Sequence, residues 1–234
     1  MSSISINLQA VLADIRQYAV SQQRDPADLQ LLAVSKTFPV SAILEAAAAG
    51  QTAFGENYLQ EALAKIQEIR EIRPDLALEW HFIGPIQSNK TRLIAENFDW
   101  VHTLERLDIA ERLSRQRPAD LPPLNVCLQV NISAEQSKSG VSPVQAILLA
   151  HQVTQLPGLK LRGLMCIPAP SRDFATQAQA FRALRLLRDE IQKQVSLLDT
   201  LSMGMSADYH AAIAEGSTIV RIGSAIFGER EYAK

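Results

Sequence analysis

Short apolar runs recur along the chain, each followed by a stretch whose apolar positions repeat with helical period. Leu29 to Lys36 (LQLLAVSK) is almost continuously apolar, the pattern of a strand buried on both faces. Seven comparable runs follow: Ala53 to Asn57, Glu79 to Gly84, Trp100 to Glu105, Asn125 to Ser133, Lys160 to Pro168, Thr200 to Met205 and Ile219 to Gly228. Between them, helices are predicted over Val40 to Ala49, Tyr58 to Glu71, Ser88 to Asn97, Leu107 to Gln116, Pro143 to Gln155 and Phe181 to Leu197. Leu8, Val11, Leu12, Ile15, Tyr18 and Ala19 place one more amphipathic helix ahead of the first strand.

Alternating strands and helices on one chain imply a parallel sheet, and right-handed crossovers let eight such strands close on themselves. The fold class is therefore α/β, a (β/α)8 TIM-type barrel with an extra N-terminal helix. Only six residues follow Gly228, too few for a closing helix, so the helical ring is expected to be completed from the front. The segment RPADLPP (117 to 123) reads as a surface loop, and residues 1–234 are expected to form a single domain.

Composition narrows the function classes. With 23 Lys and Arg against 25 Asp and Glu, the net charge is −2 and no block of like charge is present, which disfavours a nucleic-acid partner. The Arg-rich stretch after Phe181 reads as the solvated face of an outer helix. No apolar stretch reaches the roughly 20 residues of a membrane span. Two cysteines in apolar runs, Cys127 and Cys166, read as core thiols in a reducing compartment, so the cytoplasm is expected; the chain is expected, separately, to be a monomer. His81, His102, His151 and His210 are isolated in the sequence and lack the spacing of zinc ligands, so no metal is expected.

The working residues of such barrels sit at the C-terminal ends of the strands. Lys36 ends the first strand, where a desolvated amine would be a carbonyl nucleophile and a solvated one would merely snorkel into water. Asn57 ends the second and either binds a ligand oxygen or caps the next helix. The last two strands lead into SMGMS and RIGSA, whose Ser206, Gly223 and Ser224 suit either a phosphate or ordinary turns and caps. Arg221 lies among Ile219, Val220 and Ile222 and must be satisfied by a ligand at the barrel mouth or by an acidic partner outside; the ligand is the favoured reading.

A lysine, an asparagine and a phosphate-type mouth together suit a phosphorylated aldehyde, and pyridoxal 5′-phosphate fits that description. The chain resembles the bacterial YggS proteins, related to eukaryotic PROSC, a family of pyridoxal-phosphate homeostasis proteins. The resemblance runs through AVSK (33 to 36), FGENYLQE (54 to 61), WHFIGPIQSNK (80 to 90), SKSG (137 to 140), RGLM (162 to 165), SMGMS (202 to 206) and RIGSAIFG (221 to 228). It implies that Lys36 forms the internal aldimine, that Asn57 lies near the ring hydroxyl, and that Ser206, Gly223 and Ser224 hold the phosphate. It also implies that Arg221 faces the pyridine nitrogen and weakens the ring as an electron sink. The family is similar to the barrel domain of alanine racemases, whose second domain and partner-supplied tyrosine have no evident counterpart here. The implied role is a cofactor carrier or reservoir without robust catalysis, with pyridoxal-phosphate-dependent apoenzymes as candidate recipients. A low-rate amino-acid racemase is the alternative, and an aldolase using Lys36 without a cofactor is a third.

Overall fold

The computed structural model describes residues 2–133, 135, 138–195 and 198–229. Ser137 of the SKSG segment and Leu197, the predicted end of one helix, lie outside them. Eight parallel strands close into a barrel in chain order, with β1 (Gln30–Val34) paired to both β2 (Ala53–Glu56) and β8 (Ile219–Ile222). Between these run β3 (Glu79–Phe82), β4 (Trp100–Leu104), β5 (Leu124–Gln129), β6 (Leu159–Met165) and β7 (Thr200–Ser202). Each strand begins within one residue of its predicted start and stops short of its predicted end. The residues left over form the loops of the mouth. In the last run, Ser224 to Phe227 is a short helix rather than strand.

The helices are α1 (Ser3–Ser21), α2 (Val40–Ala48), α3 (Leu59–Ile72), α4 (Thr91–Asn97), α5 (Leu107–Gln116), α6 (Pro143–Val153), α7 (Phe174–Gln192), α8 (Tyr209–Ala214) and α9 (Ser224–Phe227). Residues Ser88–Lys90, predicted as the first turn of α4, form a 3-10 turn ahead of it. Helix α1 starts where the Ser2 side chain accepts the Ser5 N–H, and it buries Leu8, Val11, Ile15 and Ala19. It packs against α9, α8 and α2, and Asn7 donates to the Ile226 carbonyl at 3.1 Å, so the N-terminal helix does complete the ring beside the short α9. Helix α7 begins seven residues earlier than Phe181, because Asp173 accepts the Thr176 N–H and caps the extra turns. No helix among the described residues is long and apolar enough to cross a membrane.

Side chains alternate across each strand, and the two sets meet different surroundings. Outward residues such as Leu31, Ala33, Phe54, Val101, Val126, Leu164, Leu201, Val220 and Ile222 pack with the helices in one large core. The inward set is smaller and more polar. Leu32, Ala53 and Ile219 form one interior cluster, and Trp100, Cys127 and Met165 another. His81, His102, Ser202 and Arg221, all buried, occupy further interior positions where barrels of this kind usually carry branched apolar residues.

Gly163 shows how closely two strands meet: a Cβ placed there would lie 1.7 Å from the Thr200 carbonyl oxygen. Gly163→Ala must push β6 from β7, and we expect it to cost at least about 1–3 kcal/mol in urea denaturation. A variant as stable as the parent would show that the β6–β7 pairing tolerates separation.

Candidate functional site

The C-terminal ends of β1, β2, β3, β6, β7 and β8 border a cavity of about 290 Å³. Lys36, Asn57, Ser206, Arg221, Gly223 and Ser224 all line it. Val34, Ile83, Met165, Ile167 and Met205 supply apolar walls, and Ala207 completes the lining. Two cations and no carboxylate border the space, so its electrostatics favour an anionic ligand. Ser206 and Ser224 are exposed and Arg221 is buried, which makes the cavity hydroxylic at its rim and cationic at its floor.

Lys36 is held by what flanks it. Lys65, a buried residue of α3, donates to the Ser35 carbonyl at 2.9 Å and to Glu56 Oε1 at 2.9 Å, and also pairs with Glu61. The Ser35 hydroxyl donates to the same Glu56 oxygen at 2.7 Å, while Glu61 accepts the Thr37 N–H at 2.6 Å. Burial raises the Glu56 pKa, and Lys65 opposes that rise. Both residues next to Lys36 are thus tied to α3. Thr37 has φ 69, a left-handed conformation that costs a β-branched residue of order 1–3 kcal/mol and persists only where its surroundings enforce it.

Arg221 reaches inward. Its Nη1 donates to Ser202 Oγ at 2.7 Å and its Nη2 to the Cys166 carbonyl at 2.9 Å. Both acceptors are neutral and the side chain borders the cavity, and among the described residues no acidic partner outside the barrel hydrogen-bonds to it. Burial lowers its pKa, and burial also pushes both neighbouring thiols, Cys127 and Cys166, up to about 12. The two cysteines are buried and unbridged, as core thiols.

His81 and His102 are isolated only in the sequence. In the barrel His81 Nδ1 lies 2.8 Å from His102 Nε2, His102 Nδ1 lies 2.7 Å from Ser202 Oγ, and His81 Nε2 lies 2.7 Å from Glu79 Oε1. Burial lowers both histidine pKa values, His102 the further. The hydrogen bond from His81 holds the Glu79 carboxyl at about 2.

The alanine racemase N-terminal domain family model matches residues 6–231. The chain is 60% identical over 233 residues to the pyridoxal phosphate homeostasis protein of Pseudomonas aeruginosa, covering 99% of this chain and 98% of that protein. The chain belongs to the pyridoxal phosphate homeostasis protein family. Another similar structure is that of PipY of Synechococcus elongatus with pyridoxal phosphate bound, at TM-score 0.78 and 38% identity, covering 92% of this chain and all of PipY. The alanine racemase of Corynebacterium glutamicum matches at TM-score 0.69 and 18% identity, over 97% of this chain and 61% of the racemase, and shows the shared barrel fold alone.

In this family member, sequence reasoning missed the apolar walls, the Lys65 clasp and the histidine pair. Strand parity carries a signal for the last: His81 in WHF and His102 in WVHTL fall on inward positions of adjacent strands.

The buried histidines make stability depend on pH. Below the ordinary histidine pKa of 6.5 the unfolded chain takes up protons that the folded chain refuses, so His102 destabilises the fold as pH falls. Glu56 and Asp208, raised by burial, act in the opposite direction at lower pH, so a variant comparison is needed. Relative to His102→Asn, the parent should lose stability by about 1.4 kcal/mol per pH unit between pH 6.5 and 5. Urea titrations giving a pH-independent difference would mean that His102 accepts a proton without unfolding.

Proposed function

We propose that this chain binds pyridoxal 5′-phosphate at the barrel mouth and serves cofactor homeostasis as a carrier or reservoir, without robust catalysis. The observation that carries the reading is the convergence of Lys36, Asn57, Ser206, Arg221, Gly223 and Ser224 on one cavity. The residues fit the group. Asn57 Oδ1 is buried without a hydrogen-bond partner among the described residues, which suits a side chain meant to meet a ligand oxygen. A Cβ at Gly223 would sit 3.1 Å from the Val34 carbonyl oxygen, so a glycine there lets β8 pass close to β1 at the cavity wall.

When bound, pyridoxal phosphate supplies an aldehyde that condenses with amines. In this assignment the Lys36 amine would hold the aldehyde carbon, and the residues on either side of it are tied to α3 through Lys65 and Glu61. Asn57 meets the ring hydroxyl, and the apolar walls exclude water from the ring faces. Ser206 and Ser224 offer hydroxyls to the phosphate, and the first turn of α9 has N–H groups without intrahelical acceptors. Arg221 would meet the ring nitrogen as a hydrogen-bond donor, which would disfavour a proton on that nitrogen. Racemisation needs a positioned base on each face of the substrate, and among the described residues the lining supplies Lys36 as its one amine base and no histidine, tyrosine or carboxylate. This composition supports the carrier reading.

Lys36→Ala should leave the barrel folded by circular dichroism and lose the borohydride-stable adduct, which peptide mapping should place at Lys36 in the parent. The same adduct on the same peptide in the variant contradicts the assignment. Repeated turnover of a racemised amino acid by the loaded parent would favour the racemase reading.

Ser206→Ala and Ser224→Ala should each weaken cofactor retention by roughly 1–3 kcal/mol, the range for a lost hydrogen bond to a charged group. Equilibrium dialysis giving parental affinity for both variants would move the phosphate elsewhere.

A further inference from the structure

The interior contacts form one continuous line. Arg221 Nη1 meets Ser202 Oγ, Ser202 Oγ meets His102 Nδ1, His102 Nε2 meets His81 Nδ1, and His81 Nε2 meets Glu79 Oε1, with every separation between 2.7 and 2.8 Å. Arg221 and the cavity it borders lie toward the C-terminal ends of the strands, whereas Glu79 is the first residue of β3, at the opposite end of the barrel. Glu79 is partly exposed and also accepts the Gln30 amide at 2.9 Å.

The chemistry of the two ends gives the line a direction. A guanidinium can only donate, and an ionised carboxylate can only accept. Ser202 Oγ accepts from Arg221, so its hydrogen is available for His102 Nδ1. His102 then donates from Nε2 to His81 Nδ1, and His81 from Nε2 to Glu79. Each of the three intermediate groups uses one donor and one acceptor, and both imidazoles are neutral. The reverse order would require a proton on Glu79 and would place two donors on Ser202 Oγ, leaving the serine hydrogen without its place in the line.

We propose that Glu79, His81, His102 and Ser202 form a one-directional hydrogen-bond relay that sets the donor pattern of Arg221 from the far end of the barrel. Glu79 is thereby a positioning residue for the arginine at the cavity. Charged neighbours support the polarity: Asp99 acts on His81, Arg221 acts on His102, and the Arg162 guanidinium lies 4.7 Å over the Trp100 ring, which stacks on His81 at 5.4 Å. Chains of aligned hydrogen bonds polarise one another, so a change at one terminus is felt at the other. The inference deepens the proposed binding role and rests on it at one point, the placement of Arg221 beside the ring nitrogen.

Nitrogen-15 NMR of histidine-labelled protein without cofactor tests the relay directly. At neutral pH both His81 and His102 should be neutral with the proton on Nε2. A doubly protonated ring, or an Nδ1–H tautomer at either residue, overturns the proposal from the parent protein alone. In Glu79→Gln, where the amide can donate as well as accept, an Nδ1–H population should appear at His102; an unaltered His102 also overturns it. The same pair of proteins, loaded with pyridoxal phosphate, should differ in the absorbance–pH titration of the bound cofactor. Glu79→Gln should titrate at lower pH, because Arg221 is less engaged by Ser202 and donates more strongly to the ring. If the tautomers respond and the absorbance does not, the relay stands and the placement of Arg221 beside the ring nitrogen falls.

Discussion

Burying a guanidinium inside a barrel carries a desolvation cost of several kcal/mol, and among the described residues no carboxylate hydrogen-bonds to Arg221, although the Asp208 charge acts on it from a distance. The arginine is held instead by a hydroxyl and a peptide carbonyl. Much of the interior follows from that arrangement. Ser202 must present an acceptor to Arg221, so its own hydrogen needs another destination, and His102 provides one. His102 in turn needs a neutral acceptor, which His81 supplies, and the sequence of demands ends at Glu79 where water can reach a carboxylate. A conventional apolar filling would leave Arg221 unsatisfied. The polar middle of this barrel is therefore the cost of keeping a cation at the cavity floor.

A different strategy governs Lys36. Here the barrel invests in the backbone on either side. Lys65 spends its donors on Ser35, Glu56 and Glu61, and Glu61 pins the left-handed Thr37. This clasp joins one ammonium to two carboxylates and ties both neighbours of Lys36 to α3. Arg221 and Lys36 thus reach the same space by separate supports, one running through the barrel interior and the other through α3 outside it.

Strand starts and most helices were legible because each depends on local patterning: LQLLAVSK and NVCLQV are apolar whatever surrounds them. Strand ends were less so, since RIGSAIFG remains apolar while its backbone turns from β8 into α9. Helix α8 escaped notice because AAIA offers only a short apolar run and its first residue lacks a side-chain cap. Five of the six cavity residues could be named because they stand beyond a strand end in a polar or glycine-bearing segment, and Arg221 because it is a lone charge inside the apolar run of β8. The relay could not, since its links join residues 21 and 100 positions apart and arise only when the sheet closes. Four histidines without regular spacing carry no message until β3, β4 and β7 are wrapped around one axis.

The resulting site is graded from floor to rim. Its floor holds a buried arginine that cannot follow a departing ligand, because Ser202 and Cys166 fix it in place. Its rim holds Ser206 and Ser224, both exposed and on short loops or helix starts. A ligand with an anionic group at one end and a flat ring at the other would seat its ring against rigid apolar walls and leave its anion within reach of solvent. Such a ligand gains orientation from the inner end and reversibility from the outer one, because hydrogen bonds at an exposed rim exchange with water at little net cost.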